Sequence, residues 1–299
     1  MTVTITQDRT PTLAGAYLAA IVAVVIWGAS PAATKFAVLY FDPFIAAVLR
    51  TVVATAVLSP VLLIGRFPLP RTCGDWILLG LASSGGFVGF TLFFSYGVQQ
   101  TSASHAALIN AGIPIFTGIF GALAERRRPG WMWFFGVGLA IFGEVMLISL
   151  RNGDAGQATL KGDLLCVASS ACSGICYVAG ARLSARLGAV AVTFWAIFFA
   201  ATVLLPFFIG AGSGFNWNAV ESQGWTAMAY LVVFSTVTGY IVWYWALARG
   251  GPVRMGTVQF AMPVVSLTLA AWLFGDRLTT PLLASTAIII AGIAVARRG

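Results

Sequence analysis

Three charged residues lie inside long apolar runs of the sequence, where a charge is costly and is often retained for function. They are Lys35, Arg50 and Glu144. Lys35 stands near the end of its run, so it can extend to the lipid headgroups or line a cavity. Arg50 lies about 10 Å from the nearer end of its run at 1.5 Å per residue, and it can bind a carboxylate or pair with an acid. Glu144 can pair with Arg50, reach the headgroups or carry a proton.

The single histidine, His105, stands at the start of another apolar run. An imidazole titrates near neutral pH, so His105 is a candidate for proton transfer, and a capping or loop contact is its structural alternative. One histidine excludes a multi-histidine metal site, and the sequence lacks the paired acids or histidines that intramembrane enzymes need. We therefore expect no enzyme, no catalytic residue, no metal and no cofactor. We interpret the four cysteines as small packing residues and not as a disulfide framework.

Neutral polar residues are the better candidates for a binding cavity. Asn110 and Gln259 are amides in the middle of apolar runs, where an amide faces a partner helix or water. Ser30-Pro31, Pro114 and Pro263 interrupt helical hydrogen bonding and free backbone carbonyls that can meet a zwitterion. Aromatic residues recur at helical spacing and can line the same cavity or serve as packing: Phe90, Phe94, Tyr240, Trp243 and Tyr244. Such a cavity suits a small neutral or zwitterionic solute with a hydrophobic side chain.

The composition predicts that the elements holding these residues cross a membrane. Of the 299 residues, 59% are hydrophobic and 9% charged, whereas a soluble domain has about a quarter charged. Because the apolar runs are long and do not alternate, they predict helices and not a β-barrel. The first run is too long for a cleaved signal core, and we expect it to be retained. The ten runs are 13–37, 44–64, 75–98, 102–123, 131–150, 163–184, 189–211, 225–248, 254–274 and 280–297.

The distribution of basic residues predicts the orientation, because cytoplasmic loops carry an excess of Lys and Arg. Of the 17 Lys and Arg residues, twelve fall on the N-terminal side of the predicted membrane, including Arg126–Arg128. Three, Arg151, Lys161 and Arg277, fall on the other side, and Lys35 and Arg50 lie within the runs. Both termini are therefore predicted to be cytoplasmic. The net charge of +8 is explained by this bias, and we expect no nucleic-acid partner.

The sequence repeats itself at a shift of 149 residues. Asn110 falls on Gln259, Pro114 on Pro263, Thr117 on Ser266 and Gly121 on Ala270, and the spacing within each half places the four on one helix face. The halves, 1–150 and 151–299, thus each hold five runs. Because five is odd, the second half enters the membrane from the opposite side. We predict an all-α membrane protein of ten transmembrane helices, built as two inverted five-helix repeats around a central cavity.

These features resemble the EamA-type transporters of the drug/metabolite transporter superfamily. The resemblance rests on Trp27-Gly28-Ala29-Ser30-Pro31 in the first run, on the prolines of runs four and nine, and on the acids that follow them, Glu125 and Asp276. It adds Trp27 as a cavity candidate. In the sixth run the expected tryptophan is absent, and Tyr177 occupies that region as a further candidate. The resemblance implies a bacterial inner membrane, a cavity lined by helices one to four and six to nine, and peripheral fifth and tenth helices.

Together, these inferences predict a secondary transporter that moves small neutral or zwitterionic metabolites by alternating access. Amino acids, including aromatic ones, fit best, because the resemblance favours the branch of bacterial amino-acid exporters. No carboxylate is predicted near the membrane midplane, so we expect export or facilitated diffusion without tight proton coupling. The alternative is a proton-coupled multidrug or other metabolite exporter of the same superfamily. The expected partners are an amino acid-like substrate and the lipid bilayer, and the protein is expected to be a monomer or homodimer.

Overall fold

The computed structural model describes residues 13–64, 67–125, 130–149, 158–250, 258–296 and 298. Within these ranges the chain forms helices joined by short connections, and no strand is present. The helices are α1 (Leu13–Tyr40), α2 (Pro43–Ile64), α3 (Cys73–Gln99), α4 (Ala103–Ala111 and Ile113–Glu125), α5 (Trp131–Ser149), α6 (Leu160–Leu187), α7 (Ala189–Ser213), α8 (Ser222–Ala229, Tyr230–Thr238 and Gly239–Gly250), α9 (Met262–Phe274) and α10 (Thr280–Ala296).

Helices α1 to α8 are long and apolar enough to cross a membrane. Helices α9 and α10 are apolar but shorter, with 13 and 17 residues. In the described part of the ninth apolar run, a short 3₁₀ turn at Gln259–Ala261 precedes the helix Met262–Phe274. Proline favours the first turn of a helix, and Pro263 stands there in α9. Residues 251–257 lie outside the described part of the chain.

Three of the helices are irregular near the middle of the bundle. Helix α3 contains a π-helical segment at Ser84–Gly89, and α8 contains a longer one at Tyr230–Thr238. Shifted by 149 residues, the first segment falls on 233–238, inside the second. Helix α4 breaks at Gly112, which ends its first segment. Such irregular turns are frequent at functional sites, because they change the direction of side chains and free backbone groups.

The helix contacts between the two halves fall into pairs related by the 149-residue shift. Helix α3 packs on α6 as α8 packs on α1, and α4 packs on α6 as α9 packs on α1. The halves also meet through like pairs: α2 with α7, α4 with α9, and α5 with α10.

Small residues allow the closest of these contacts. A Cβ atom at Gly136 or Gly292 would collide with the backbone of the facing helix, so α5 and α10 cross backbone to backbone. In α3, Gly86 and Gly97 face the sulfur atoms of Cys176 and Cys166 in α6. The cysteines of α6 thus occupy space that the glycines of α3 leave free, and they form no disulfide bond.

Large apolar side chains cover the outside of the bundle. Trp131 is 76% exposed and Trp272 79%, and Phe134, Phe142 and Leu123 are exposed as well. A soluble monomer rarely shows so much contiguous apolar surface. The fold is therefore that of a multi-pass membrane protein, with its polar side chains turned inward.

Candidate substrate cavity

A cavity of about 190 Å³ lies in the interior of the bundle, between α1, α2, α3, α4, α6, α8, α9 and α10. The structure brings most of the predicted candidates to its wall. Those that line it are Trp27, Ser30, Arg50, Phe90, Phe94, Asn110, Pro114, Tyr177, Tyr240, Gln259 and Pro263. The two amides and the two prolines paired by the 149-residue shift thus come from different halves and face the same space.

The aromatic part of the wall is held by hydrogen bonds to the π-helical segment of α8. The indole Nε1 of Trp27 donates to the carbonyl of Ser235 at 3.0 Å, and its ring meets Tyr240 edge-on with centroids 5.2 Å apart. A side chain at Gly239 would collide with that indole nitrogen, so α8 has a glycine there. On the facing side, the rings of Phe90 and Phe94 stack with centroids 5.2 Å apart.

Trp243 does not have the expected place in the wall. Trp243 packs against Trp27 at 5.6 Å, in a cluster with Ala16, Ala20 and Ala246. It supports the wall from behind and does not line the cavity. Tyr240 and Trp243 lie about one turn apart in the regular segment Gly239–Gly250 of α8, and the wall includes Tyr240 but ends before Trp243, which packs on α1. The side chain of Tyr244 lies outside the described residues.

Several lining residues were not in the predicted set. Ser173 and Thr117 add hydroxyls, and Ser235 adds another beside Thr236. Ser235 lies in the π-helical segment of α8, whose geometry the sequence did not predict. Ile290 and Ile293 of α10 also line the cavity. The expectation that the tenth helix is wholly peripheral is therefore wrong, because the close crossing with α5 brings α10 up to the wall.

Arg50 is the charged residue of this wall. Its Nε donates to the hydroxyl of Thr236 at 2.8 Å, and its Nη2 donates to the hydroxyl of Ser235 at 3.0 Å. Ser235 also shares a hydrogen bond with Ser30 at 2.5 Å. These contacts join α1, α2 and α8 and fix the plane of the guanidinium. The predicted pairing of Arg50 with Glu144 is wrong, because both contacts of the guanidinium are made with hydroxyls.

Glu144 lies on α5, away from the cavity wall. It is 6% exposed, and its Oε1 has no hydrogen-bond partner among the described residues. The carboxyl group fits against the backbone of Gly112, where α4 breaks, and a Cβ atom there would displace it. It therefore does not reach the headgroups, and it is a buried acid at the junction of α4 and α5.

Lys35 also differs from both of its expected roles. It is buried, and its Nζ donates to the carbonyls of Val98 at 2.9 Å and Thr101 at 2.7 Å. The last carbonyls of a helix have no partner within it and carry a partial negative charge. Lys35 thus neutralises the end of α3, which explains why it neither lines the cavity nor extends to the headgroups.

His105 belongs to a buried polar cluster at the same end of the bundle. Its Nδ1 lies 3.2 Å from Oδ2 of Asp163, and the other oxygen of Asp163 accepts from Thr101 at 2.5 Å. Beside this pair, Asp276 accepts from the backbone and hydroxyl of Ser104 at 2.9 and 2.8 Å. We call Lys35, Thr101, Ser104, His105, Asp163 and Asp276 the polar end cluster. It joins α1, α3, α4, α6 and the residue after α9 through buried hydrogen bonds.

The fold is that of a multi-pass membrane protein with an interior cavity, and sequence comparison gives the family. The EamA-like transporter family matches residues 14–149 and 160–298, and the chain belongs to it. The chain is 31% identical to the "Uncharacterized transporter YdeK" of Bacillus subtilis (strain 168), over 93% of this chain and 95% of that protein. It is 26% identical to the "Probable amino-acid metabolite efflux pump" of Escherichia coli (strain K12), over 92% of each.

A solved crystal structure shows the same fold. It superposes with a TM-score of 0.61 at 22% sequence identity and covers 95% of this chain and 96% of the other. Membership of a transporter family implies a small-molecule substrate and a location in a membrane.

Proposed function

We propose that the protein is a secondary transporter of amino acids with apolar or aromatic side chains. The composition of the cavity wall carries this proposal. Aromatic rings from α1, α3, α6 and α8 surround the space, and amides, hydroxyls and one guanidinium interrupt them. A small zwitterion with a hydrophobic side chain matches both parts of such a wall. The name of the E. coli relative, an amino-acid metabolite efflux pump, points to the same class of solute.

We further propose that all ten helices cross the membrane as two inverted five-helix repeats, residues 1–150 and 151–299. The paired helix contacts and the π-helical segments at equivalent positions support this arrangement. The family matches the two halves separately. The excess of basic residues on the N-terminal side supports cytoplasmic termini in a bacterial inner membrane.

In the proposed mechanism, the halves rock about the cavity. The prolines of α4 and α9 provide bends, and the polar end cluster closes one end of the path in the conformation described. The bonds between Ser104 and Asp276 connect the two halves at that end, so they have to break when it opens. The reaction is transport alone, without covalent chemistry or a cofactor.

Transport in this scheme is facilitated diffusion or exchange, without tight proton coupling. Such coupling needs a group that titrates at or beside the binding site. In the described part of the wall the charged residue is an arginine, which stays protonated. The single histidine, His105, lies in the polar end cluster against Asp163 and not in the described wall.

A proton-coupled exporter of drugs or other metabolites is the second candidate. Glu144 is the observation in its favour, because a buried carboxyl oxygen without a hydrogen-bond donor is a suitable place for a proton. In that case Glu144 would act at the α4 break and not in the cavity.

The test is uptake of labelled phenylalanine, threonine and methionine by purified protein in liposomes, with and without a pH gradient. We expect saturable uptake that is the same in both conditions. Ser173→Trp, which fills the cavity, should abolish it, whereas Val190→Trp on the exposed surface of α7 should not. Uptake that follows the gradient would favour the second candidate. Failure to take up any amino acid would contradict the proposed substrate class.

A further inference from the structure

The charge balance around Arg50 indicates which part of the solute is recognised. A guanidinium has five N–H donors, and the described protein occupies two of them, through Thr236 and Ser235. Nη1 makes no hydrogen bond to any described residue, and Arg50 belongs to the cavity wall. Two hydrogen bonds therefore fix one edge of the Arg50 guanidinium, and its remaining N–H donors are available to a solute.

The described acidic side chains lie outside the cavity wall, and most of them have other contacts. The chain has nine Asp and Glu residues. Among those described, Asp75 pairs with Arg186, Asp163 and Asp276 belong to the polar end cluster, and Asp42 caps the start of α2. Glu144 lies against Gly112, and Glu221 precedes α8. The side chains of Asp8, Glu125 and Asp154 lie outside the described residues.

Arg50 thus has no counter-ion in the described protein, although a guanidinium inside a membrane is stabilised chiefly by an anion. A carboxylate supplies that charge and accepts two parallel N–H bonds from the fork of an arginine. The fixed plane of the guanidinium favours such a contact, because little side-chain freedom remains to be lost. A solute cation, by contrast, finds no acidic side chain in the described wall.

We propose that Arg50 binds the carboxylate of the transported solute, so that this carboxylate, and not the amino group, is required for recognition. The inference rests on the proposed function and narrows it to carboxylate-bearing solutes. Organic amines are excluded from the site, and a deaminated acid with the same side chain is accepted.

The test compares four compounds that share the benzyl side chain: phenylalanine, 3-phenylpropanoate, phenylalaninamide and phenethylamine. Binding to the purified full chain in nanodiscs is measured by calorimetry at neutral pH, so a readout exists that does not depend on transport. We expect the two carboxylates to bind, and the amide and the amine to bind on the order of 10- to 100-fold more weakly, as expected for a lost hydrogen bond to a charged group.

Arg50→Gln should weaken phenylalanine binding by a similar factor and remove the preference for carboxylates. Arg249→Gln is the matched control, because Arg249 is exposed and lies over the Trp245 ring, outside the cavity wall. If Arg50→Gln does not fold, binding of the four compounds to the unchanged protein still tests whether the carboxylate is required. Equal binding of phenethylamine and phenylalanine would overturn the proposal. Binding of 3-phenylpropanoate without uptake of any amino acid would keep the carboxylate site and reject amino-acid transport.

Discussion

The buried carboxyl group of Glu144 can be tested for a role in proton coupling. An ionised carboxylate without a partner is expensive in an apolar interior. Glutamine has the same shape and no charge, so we expect Glu144→Gln to change the free energy of unfolding by less than about 1 kcal/mol. Uptake should also be unchanged. The measurements are thermal unfolding and liposome uptake, with the exposed acid variant Glu221→Gln as the reference. The contrary result is uptake that follows the pH gradient in the original protein and in Glu221→Gln but not in Glu144→Gln. Glu144 would then be a proton carrier.

At this scale, the sequence was most informative where chemistry restricts the alternatives. Amides and prolines in the middle of apolar runs are costly unless they face a cavity or a partner, and Asn110, Gln259, Pro114 and Pro263 do line the cavity. The contacts of the charged residues could not be read in the same way. Lys35 bonds to the carbonyls that end another helix, and the Arg50 contacts depend on the π-helical turns of α8. Neither partner leaves a pattern in the sequence.

At the scale of helices, the α5–α10 crossing depends on glycine at particular positions. A methyl group at Gly136 would meet backbone atoms of Ala296 and Gly292, which cannot move aside as a side chain can. We expect Gly136→Ala to separate the helices and to lower the free energy of unfolding by about 1–3 kcal/mol. Gly138→Ala is the control, because its added methyl group meets nothing within 4 Å. It should be neutral or slightly stabilising, since alanine favours helix. Equal unfolding temperatures for the two variants would contradict the crossing.

The prolines of α4 and α9 are expected to serve movement more than stability. Pro114 follows the Gly112 break of α4, Pro263 follows the 3₁₀ turn that precedes α9, and both line the cavity. Bends at such positions let helices change angle. Replacing each with alanine should change the transport rate several-fold while the unfolding temperature stays near that of the original protein. Pro206→Ala, in the exposed part of α7, should leave both unchanged. Unaltered uptake in both cavity variants would refute the role of the bends.

The irregular helices show which features of the helices could not be predicted from the sequence. Apolar runs gave the order of the helices and their approximate ends, because lipid imposes long apolar segments. They did not reveal the π-helical segments, the Gly112 break or the 3₁₀ turn at Gln259–Ala261, because regular hydrophobic spacing carries no signal for such turns. Side chains within such a segment therefore face a direction that regular helical spacing does not give, as with Ser235.

For the molecule as a whole, the repeat at 149 residues was the strongest signal in the sequence. It implied that positions far apart in the chain face one space, and the cavity brings Asn110 together with Gln259. The signal was strong because polar residues are few in an apolar helix, so a matched polar stripe stands out. The sequence could not predict that α10 reaches the cavity, since Ile290 and Ile293 have no chemical signature that separates them from lipid-facing residues.

The most direct test asks whether this cavity is the solute path. Thr117→Cys places a thiol on the half-buried wall, and native Cys73, exposed at the start of α3, serves as an internal control in the same molecule. Labelling by a small thiol reagent is followed by mass spectrometry, with and without phenylalanine. We expect phenylalanine to slow labelling at position 117 in a saturable way and to leave Cys73 unaffected. Equal labelling at position 117 in saturating phenylalanine, in protein that still transports it, would contradict the assignment of the cavity.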